Sequence, residues 1–287
     1  MADKHDIMWF DSLDSTNNEA KRRISDIDNL SVLSAVSQTA GRGQKGNTWH
    51  AEPGENLTFS IVLKFGDKCF PELRAEDSFM ISEITAISVV QLLEKYDLDA
   101  MIKWPNDIYI GDEKVCGILI ENSLCSNGVK SSIIGIGLNI NQKNFDVNLP
   151  NPTSLLLQKC KQNCFSNCVS DDCENISKYD IKLVLDEFLS VFSDNCSKYL
   201  NEYHSRSELK EKYVSKLWRL GCETRFIDFT VLPAGHSNLP VVTGIKNDSG
   251  FEFAGIIRGI SPIGNLLIET PDENIKEFGF KEVSYIL

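Results

Sequence analysis

Gln38 to Leu63 reads Q-T-A-G-R-G-Q-K-G-N-T-W-H-A-E-P-G-E-N-L-T-F-S-I-V-L, a glycine-rich, cation-bearing loop that runs straight into a strand. Gly41, Gly43 and Gly46 lack Cβ atoms, so the backbone there can take positive φ and bring successive N–H groups close to a ligand. Arg42 and Lys45 stand among them, and a guanidinium fork beside backbone donors suits a carboxylate or phosphate oxygen. Past the loop, Leu57, Phe59, Ile61 and Leu63 alternate with Asn56, Thr58 and Ser60, the period of a half-buried strand. One end of that strand therefore anchors an anion-binding loop.

Gly41 to Gly46 satisfies G-x-G-x-x-G letter for letter, yet a dinucleotide-binding loop opens a helix and this one opens a strand. The G-K-[ST] ending of a phosphate-binding loop is absent. Taken alone, such a loop is more often only a turn.

Upstream, Thr16 with Glu19 fits a capping box and predicts a helix from there to about Ser25, and Val32 to Val36 reads as a strand delivering Gln38. Downstream, Phe79, Met80, Ile84, Ile87, Val90 and Leu93 recur at helical spacing within Ala75 to Tyr96. Pro105 in K-W-P-N-D, Lys103 to Asp107, interrupts a strand begun at Met101; Ile108–Ile110 and Val115–Glu121 then form a hairpin flanked by Lys103 and Lys114. Gly117 inside that strand marks a close approach, and Cys116 beside it reads as a small buried side chain. From Ser131 to Asn141, Ile134, Ile136, Leu138 and Ile140 share one face, while Gly135, Gly137 and Asn139 share the other. That bare face suits a flat group such as adenine with Asn139 as its polar contact, or equally a closely packed helix.

A helix begins near Asn151; a long amphipathic one runs from Ile181 to Tyr203, and a shorter one from Leu209 to a stop at Gly221. From Cys222 onward the texture changes to short strands and turns: Thr224–Val231, a turn at Asn247–Gly250, Phe253–Ile260, Leu266–Glu269 and Val283–Leu287, which predict a small β-barrel. Cys160, Cys164, Cys168 and Cys173 lack a C-x2-C knuckle, so an irregular insertion is favoured over a zinc site.

The 287 residues suffice for one large domain plus a small one. A net charge of −12 argues against a partner held by its phosphate backbone, and nine scattered cysteines suit a reducing compartment. No run approaches about 18 apolar residues, so a cytoplasmic protein with no membrane partner is expected.

The segments Q-T-A-G-R-G-Q-K-G-N-T-W, K-W-P-N-D, K-V-C-G-I-L-I-E (Lys114–Glu121) and G-I-G-L-N-I-N (Gly135–Asn141) resemble biotin protein ligases, in that family's order, in a form without the N-terminal DNA-binding domain. The likeness runs from about Trp9 to the C-terminus, interrupted near Lys159–Lys178. It implies an α+β fold: a mixed sheet with packed helices, class II synthetase-like, over 1–221, then an SH3-like β-barrel over 222–287. It also implies ATP-dependent activation of biotin as biotinyl-5′-AMP, with Mg²⁺ on the phosphates, and transfer to a lysine of a biotin carboxyl carrier domain. Ser15, Thr16 and Asn17 would meet the biotin ureido ring with Gln38, neutral groups that suit its donors and acceptor. Gly41, Arg42, Gly43 and Gln44 would close over biotin, Trp49 would lie over biotin and the adenylate, and Gly117 would leave room. Lys114 would reach the biotin carboxylate and α-phosphate. Arg42, Trp49, Lys103, Asn106, Lys114 and Asn139 would hold ATP, with Arg42, Lys114, Lys103 and Asp107 catalytic, Asp107 as base for the carrier lysine. No protein metal ligand is expected; a homodimer is compatible. Gln44 departs from the family, whose loop commonly carries a second Arg there.

Two rivals stand beside this reading. A lipoate or octanoate protein ligase would usually carry R-R-x-x-G-G-G, which is missing. A biotin-responsive DNA-binding regulator would need a winged helix ahead of a core that begins about ten residues from Met1.

Overall fold

The β-forming runs of the first half of the chain join into one seven-stranded sheet in the computed structural model, which describes residues 6–167, 176–201, 205–230 and 250–286. Strands β1 (Ile7–Leu13), β2 (Val32–Gln38), β3 (Asn56–Lys64), β4 (Ala100–Lys103), β5 (Asp107–Ile110), β6 (Glu113–Cys125) and β7 (Gly128–Asn139) take the order β1-β2-β3-β7-β6-β5-β4. β1 and β2 run parallel, with helix α1 (Thr16–Arg23) between them in the chain; the remaining neighbours are antiparallel. The sheet is thus mixed, as expected.

One face carries Leu57, Phe59, Ile61 and Leu63 of β3 with Ile134, Ile136 and Leu138 of β7, all buried. Helices α2 (Phe79–Lys95) and α4 (Ile181–Asn201) cover it, and Phe188 of α4 meets Phe59 edge-on at 5.4 Å between ring centroids. The alternation in β3 predicts a half-buried strand, but Asn56, Thr58 and Ser60 are buried too, because α1 and the loop after β2 roof the polar face. Period-two polarity reports which groups share a face; here the polar face is interior and hydrogen-bonded.

The capping box does not form. Ser15 is the N-cap with extended backbone and no side-chain cap bond, Thr16 is the first helical residue, and Glu19 turns instead to Arg22 and Arg23. This leaves the Thr16 hydroxyl free to face the sheet. Helix α3 (Leu155–Asn167) follows residues 151–154, where Pro152 bridges to Lys114, and α5 (Arg206–Ser215) ends short of the expected Gly221. Cys168, Cys173 and the expected turn at 247–249 lie outside the described residues.

The chain divides into two compact units, Met1–Tyr213 and Val214–Leu287. Residues 214–221 fall in the second, where the Gly221 N–H donates to the Ile257 carbonyl at 3.0 Å. The described residues of this unit form a five-stranded antiparallel sheet of β8 (Glu223–Asp228), β9 (Phe251–Ile260), β10 (Leu266–Glu269), β11 (Ile275–Phe278) and β12 (Val283–Tyr285), ordered β11-β10-β9-β8-β12. Strand β11 escaped the sequence reading, since Ile275, Lys276 and Glu277 are all exposed and show no buried period.

Candidate active site

Residues opposite one another across antiparallel strands share a face, and the register therefore writes a row that no single segment displays. It runs Ala35, Thr58, Gly137, Gly117, Asp107 and Lys103 across β2, β3, β7, β6, β5 and β4. The next row holds Leu33, Ser60, Gly135 and Leu119. Three glycines thereby meet at the centre as a trough on the polar face.

The trough is filled by the chain's own side chains. A Cβ on Gly137 would lie 2.3 Å from Trp49 Cε2, one on Gly117 would lie 3.0 Å from Trp49 Cζ3, and one on Gly135 would lie 2.2 Å from Asn17 Oδ1. The bare face of β7, read as a seat for adenine or a packed helix, is occupied here by an indole and a carboxamide. Asn139 next to it is buried and its Nδ2 donates to the Thr153 carbonyl at 2.8 Å, so one of its two amide protons is spent on the fold. Its Oδ1 and the Trp49 Nε1 are both buried without a partner.

At one end of the floor the neutral groups form a chain. Thr16 and Ser60 hydroxyls lie 2.8 Å apart, and Ser60 Oγ is 2.7 Å from Asn17 Oδ1. Each hydroxyl has one proton, so Thr16 donates to Ser60 and Ser60 to Asn17. The Asn17 Nδ2 then donates to the Glu121 carboxylate at 3.0 Å, and the Gln38 Oε1 accepts from the Thr16 N–H at 2.8 Å. Ser15, Thr16 and Asn17 are all buried, which the helix entry and β2 together enforce.

The loop above is a small hairpin. Arg42 bridges to Thr48, the Gly43 N–H donates to the Asn47 carbonyl at 2.7 Å, and the Trp49 N–H donates to the Gly41 carbonyl at 3.0 Å. A side chain at Gly41 would strike the Trp49 carbonyl at 2.3 Å, so close backbone approach, not positive φ, demands glycine there. Of the three loop glycines only Gly46 has positive φ, +86°, ending a 3-10 turn begun at Gln44. A cleft of about 330 Å³ opens between Arg42, Gly43, Asn47 and Leu119.

The two principal cations are each held by a carboxylate. Arg42 forks onto Glu121 at 2.9 and 3.0 Å and also donates to Asn18 at 2.9 Å. Lys114 Nζ lies 2.7 Å from Asp107 and 5.7 Å from the Trp49 ring centroid. Asp107 faces Gly117, and Glu121 lies four residues further along β6, roughly 13 Å at strand rise. Arg42 and Lys114 therefore do not converge on one another in this conformation; they stand at the two ends of the covered trough. The Lys114 backbone is fixed by bonds to Asn151 and Thr153, and Asn106 is committed to the Ile118 carbonyl at 2.7 Å. Lys103 contacts the Tyr109 hydroxyl at 3.1 Å. Gln44 caps nothing with its side chain; its carbonyl accepts from Asn47. Cys116 is fully buried and burial pushes its thiol up, which makes it a packing residue.

Glu121 and Ser60 were not singled out by sequence reading, although Glu121 shares its strand face with Gly117 and Leu119. Burial pushes the Glu121 carboxyl up, but the hydrogen bonds from Arg42 and Asn17 outweigh this and leave it below its ordinary value.

Replacing Gly137 by Ala forces the indole off the trough, because β7 is locked between β3 and β6 and cannot yield. We expect a stability loss of about 2 kcal/mol and a change in Trp49 emission. Unchanged denaturation and emission would show that the indole does not sit there.

The site is thus a mixed sheet whose polar face carries a roofed, hydrogen-bonded floor beside a trough with a cation at either end. Residues 9–141 match the sequence model of the Biotin/lipoate A/B protein ligase family. The bifunctional ligase/repressor BirA of Bacillus spizizenii is 36% identical over 116 residues, 40% of this chain and 34% of that protein. BirA of Escherichia coli K12 is 28% identical over 273 residues, 95% of this chain and 71% of that protein. The chain thus spans about a third of the first relative's length. The structure of the biotin protein ligase from Aquifex aeolicus in complex with biotin and ATP matches with a TM-score of 0.67 and 26% identity, covering 98% of both chains.

Proposed function

We propose that the protein activates biotin with ATP as biotinyl-5′-AMP, releasing pyrophosphate, and passes the biotinyl group to a lysine amine of a biotin carboxyl carrier domain, releasing AMP. The observation that carries this is the neutral floor of Thr16, Asn17, Ser60 and Gln38 with a cation at either end of the trough beside it. A ureido group needs neutral donors and acceptors, and an acid meeting a phosphate needs charge neutralisation. Lys114 would neutralise the carboxylate and α-phosphate oxygens, Arg42 would clamp the anion from the loop, and Trp49 would shift from the trough to cover the ligand and exclude water. Lys103 and Asn106 border the nucleotide end in this reading; Asp107 holds Lys114 and would serve the carrier lysine as base.

Among the described residues no group of three or more His, Cys, Asp or Glu is placed to hold an ion. The nearby carboxylates, Asp107 and Glu121, are engaged by cations, so Mg²⁺ would arrive held by phosphate and water oxygens. No described helix is long and apolar enough to cross a membrane.

The deciding experiment is ATP–pyrophosphate exchange with biotin, lipoate and octanoate offered separately. Exchange with biotin alone is expected; exchange with lipoate or octanoate alone would install the lipoyl-type rival. Gln44→Arg, which supplies the family's second loop arginine, should lengthen the half-life of bound biotinyl-AMP several-fold. An unchanged half-life would remove position 44 from retention of the intermediate.

A further inference from the structure

Arg42 presents its fork to the chain's own carboxylate. Both terminal guanidinium nitrogens meet Glu121, at 2.9 and 3.0 Å, in the paired geometry that the same fork would use on a ligand's carboxylate or phosphate. The Glu121 oxygen that takes one of these bonds also accepts the Asn17 Nδ2 at 3.0 Å, so a single carboxylate ties the loop cation to the neutral floor. The loop hairpin, closed by the Gly43–Asn47 bond, carries the arginine to that position. Glu121 itself is fixed on β6 by the register opposite Ile133.

We propose that Glu121 is a positioning residue that sets the site's preference between anionic and neutral ligands, because its carboxylate holds the Arg42 fork that a ligand anion must win. This rests on the biotin-activating reading for the identity of the ligand, and on the ion pair alone for the hold on the loop. A ligand acid gains Arg42 only by displacing Glu121, so part of its charge interaction replaces one already present. A neutral ligand leaves the pair intact and meets only the floor. The pair is partly exposed, 38% at Arg42 and 27% at Glu121, so the competition is worth several-fold, not orders of magnitude. The Asn17 bond gives Glu121 a second task, orienting the carboxamide whose oxygen accepts from Ser60.

The test uses the full chain and its Glu121→Gln and Glu121→Asp variants. Glutamine keeps an acceptor for Asn17 but surrenders the charge; aspartate keeps the charge but falls short of the fork. Without ligand, tryptic cleavage after Arg42 should be about fivefold faster in both variants, while cleavage elsewhere keeps its wild-type rate. With ligand, calorimetry on biotin and on biotinol, its neutral alcohol, should show Glu121→Gln binding biotin about fivefold tighter and biotinol unchanged. Wild-type cleavage after Arg42 in both variants overturns the proposal. So does an equal loss of affinity for biotin and biotinol, which would leave Glu121 a support for the floor only. If wild type binds neither compound, the biotin reading fails, and the cleavage rates still decide whether Glu121 holds Arg42.

Discussion

Lys114→Ala should lower pyrophosphate release from biotin and ATP by about 100-fold or more, the scale of losing one preorganised donor to a developing oxyanion. The reason lies in how the side chain is held. Its backbone is pinned on both sides by the 151–153 segment, its ammonium is 2.7 Å from Asp107, and its stem runs beside Gly117 under the indole. A cation so constrained has lost its rotamer freedom before a ligand arrives, and the cost of ordering it does not recur in the reaction. Removing it also leaves Asp107 as an unpaired negative charge where the proposed reaction would bring the phosphates. The fold itself loses only a partly exposed pair, so the melting temperature should change little. Near-normal release by the variant would take Lys114 out of the chemistry and leave it as a hairpin lysine pairing with its neighbour.

Glu83→Gln should stabilise the protein at pH 8 by up to roughly 3 kcal/mol while changing little near pH 4. Glu83 sits on α2 with 8% exposure, and burial pushes its carboxyl up to about 7, with Lys210 pulling the other way. A raised carboxyl binds its proton more tightly in the folded chain than in the unfolded one. Folding is therefore favoured below the unfolded value near 4.5, and that advantage drains away as pH rises from there through about 7. Glutamine cannot ionise and escapes the loss. Urea denaturation at pH 4.5 and 8 for both proteins checks it; parallel pH profiles would mean that Glu83 ionises at little cost.

Much of the large unit was legible because it is written locally. The alternation in β3, the helical spacing of α2 and α4, and the turn residues between β5 and β6 each depend on neighbours a few positions away. The cationic, glycine-rich make-up of the loop was legible too, since Arg42 and its flanking glycines are adjacent. The arrangement of the site was not. Thr16 looked like a helix cap and proved to be a sheet-facing hydroxyl. Glu121 looked like the end of a strand, yet its two partners, Asn17 and Arg42, lie 104 and 79 residues away.

The sequence by itself determined that a loop bearing cations leads into a buried strand, and that two further strands carry glycines on one face. Only the tertiary structure decided that Gly117 stands opposite Gly137, that Trp49 fills the space between them, and that each cation is held by its own carboxylate. The physical reason is that strand register and the return of a loop are set by pairing between distant segments. Side-chain period along one strand says which residues share a face, and nothing about what will lie across from them.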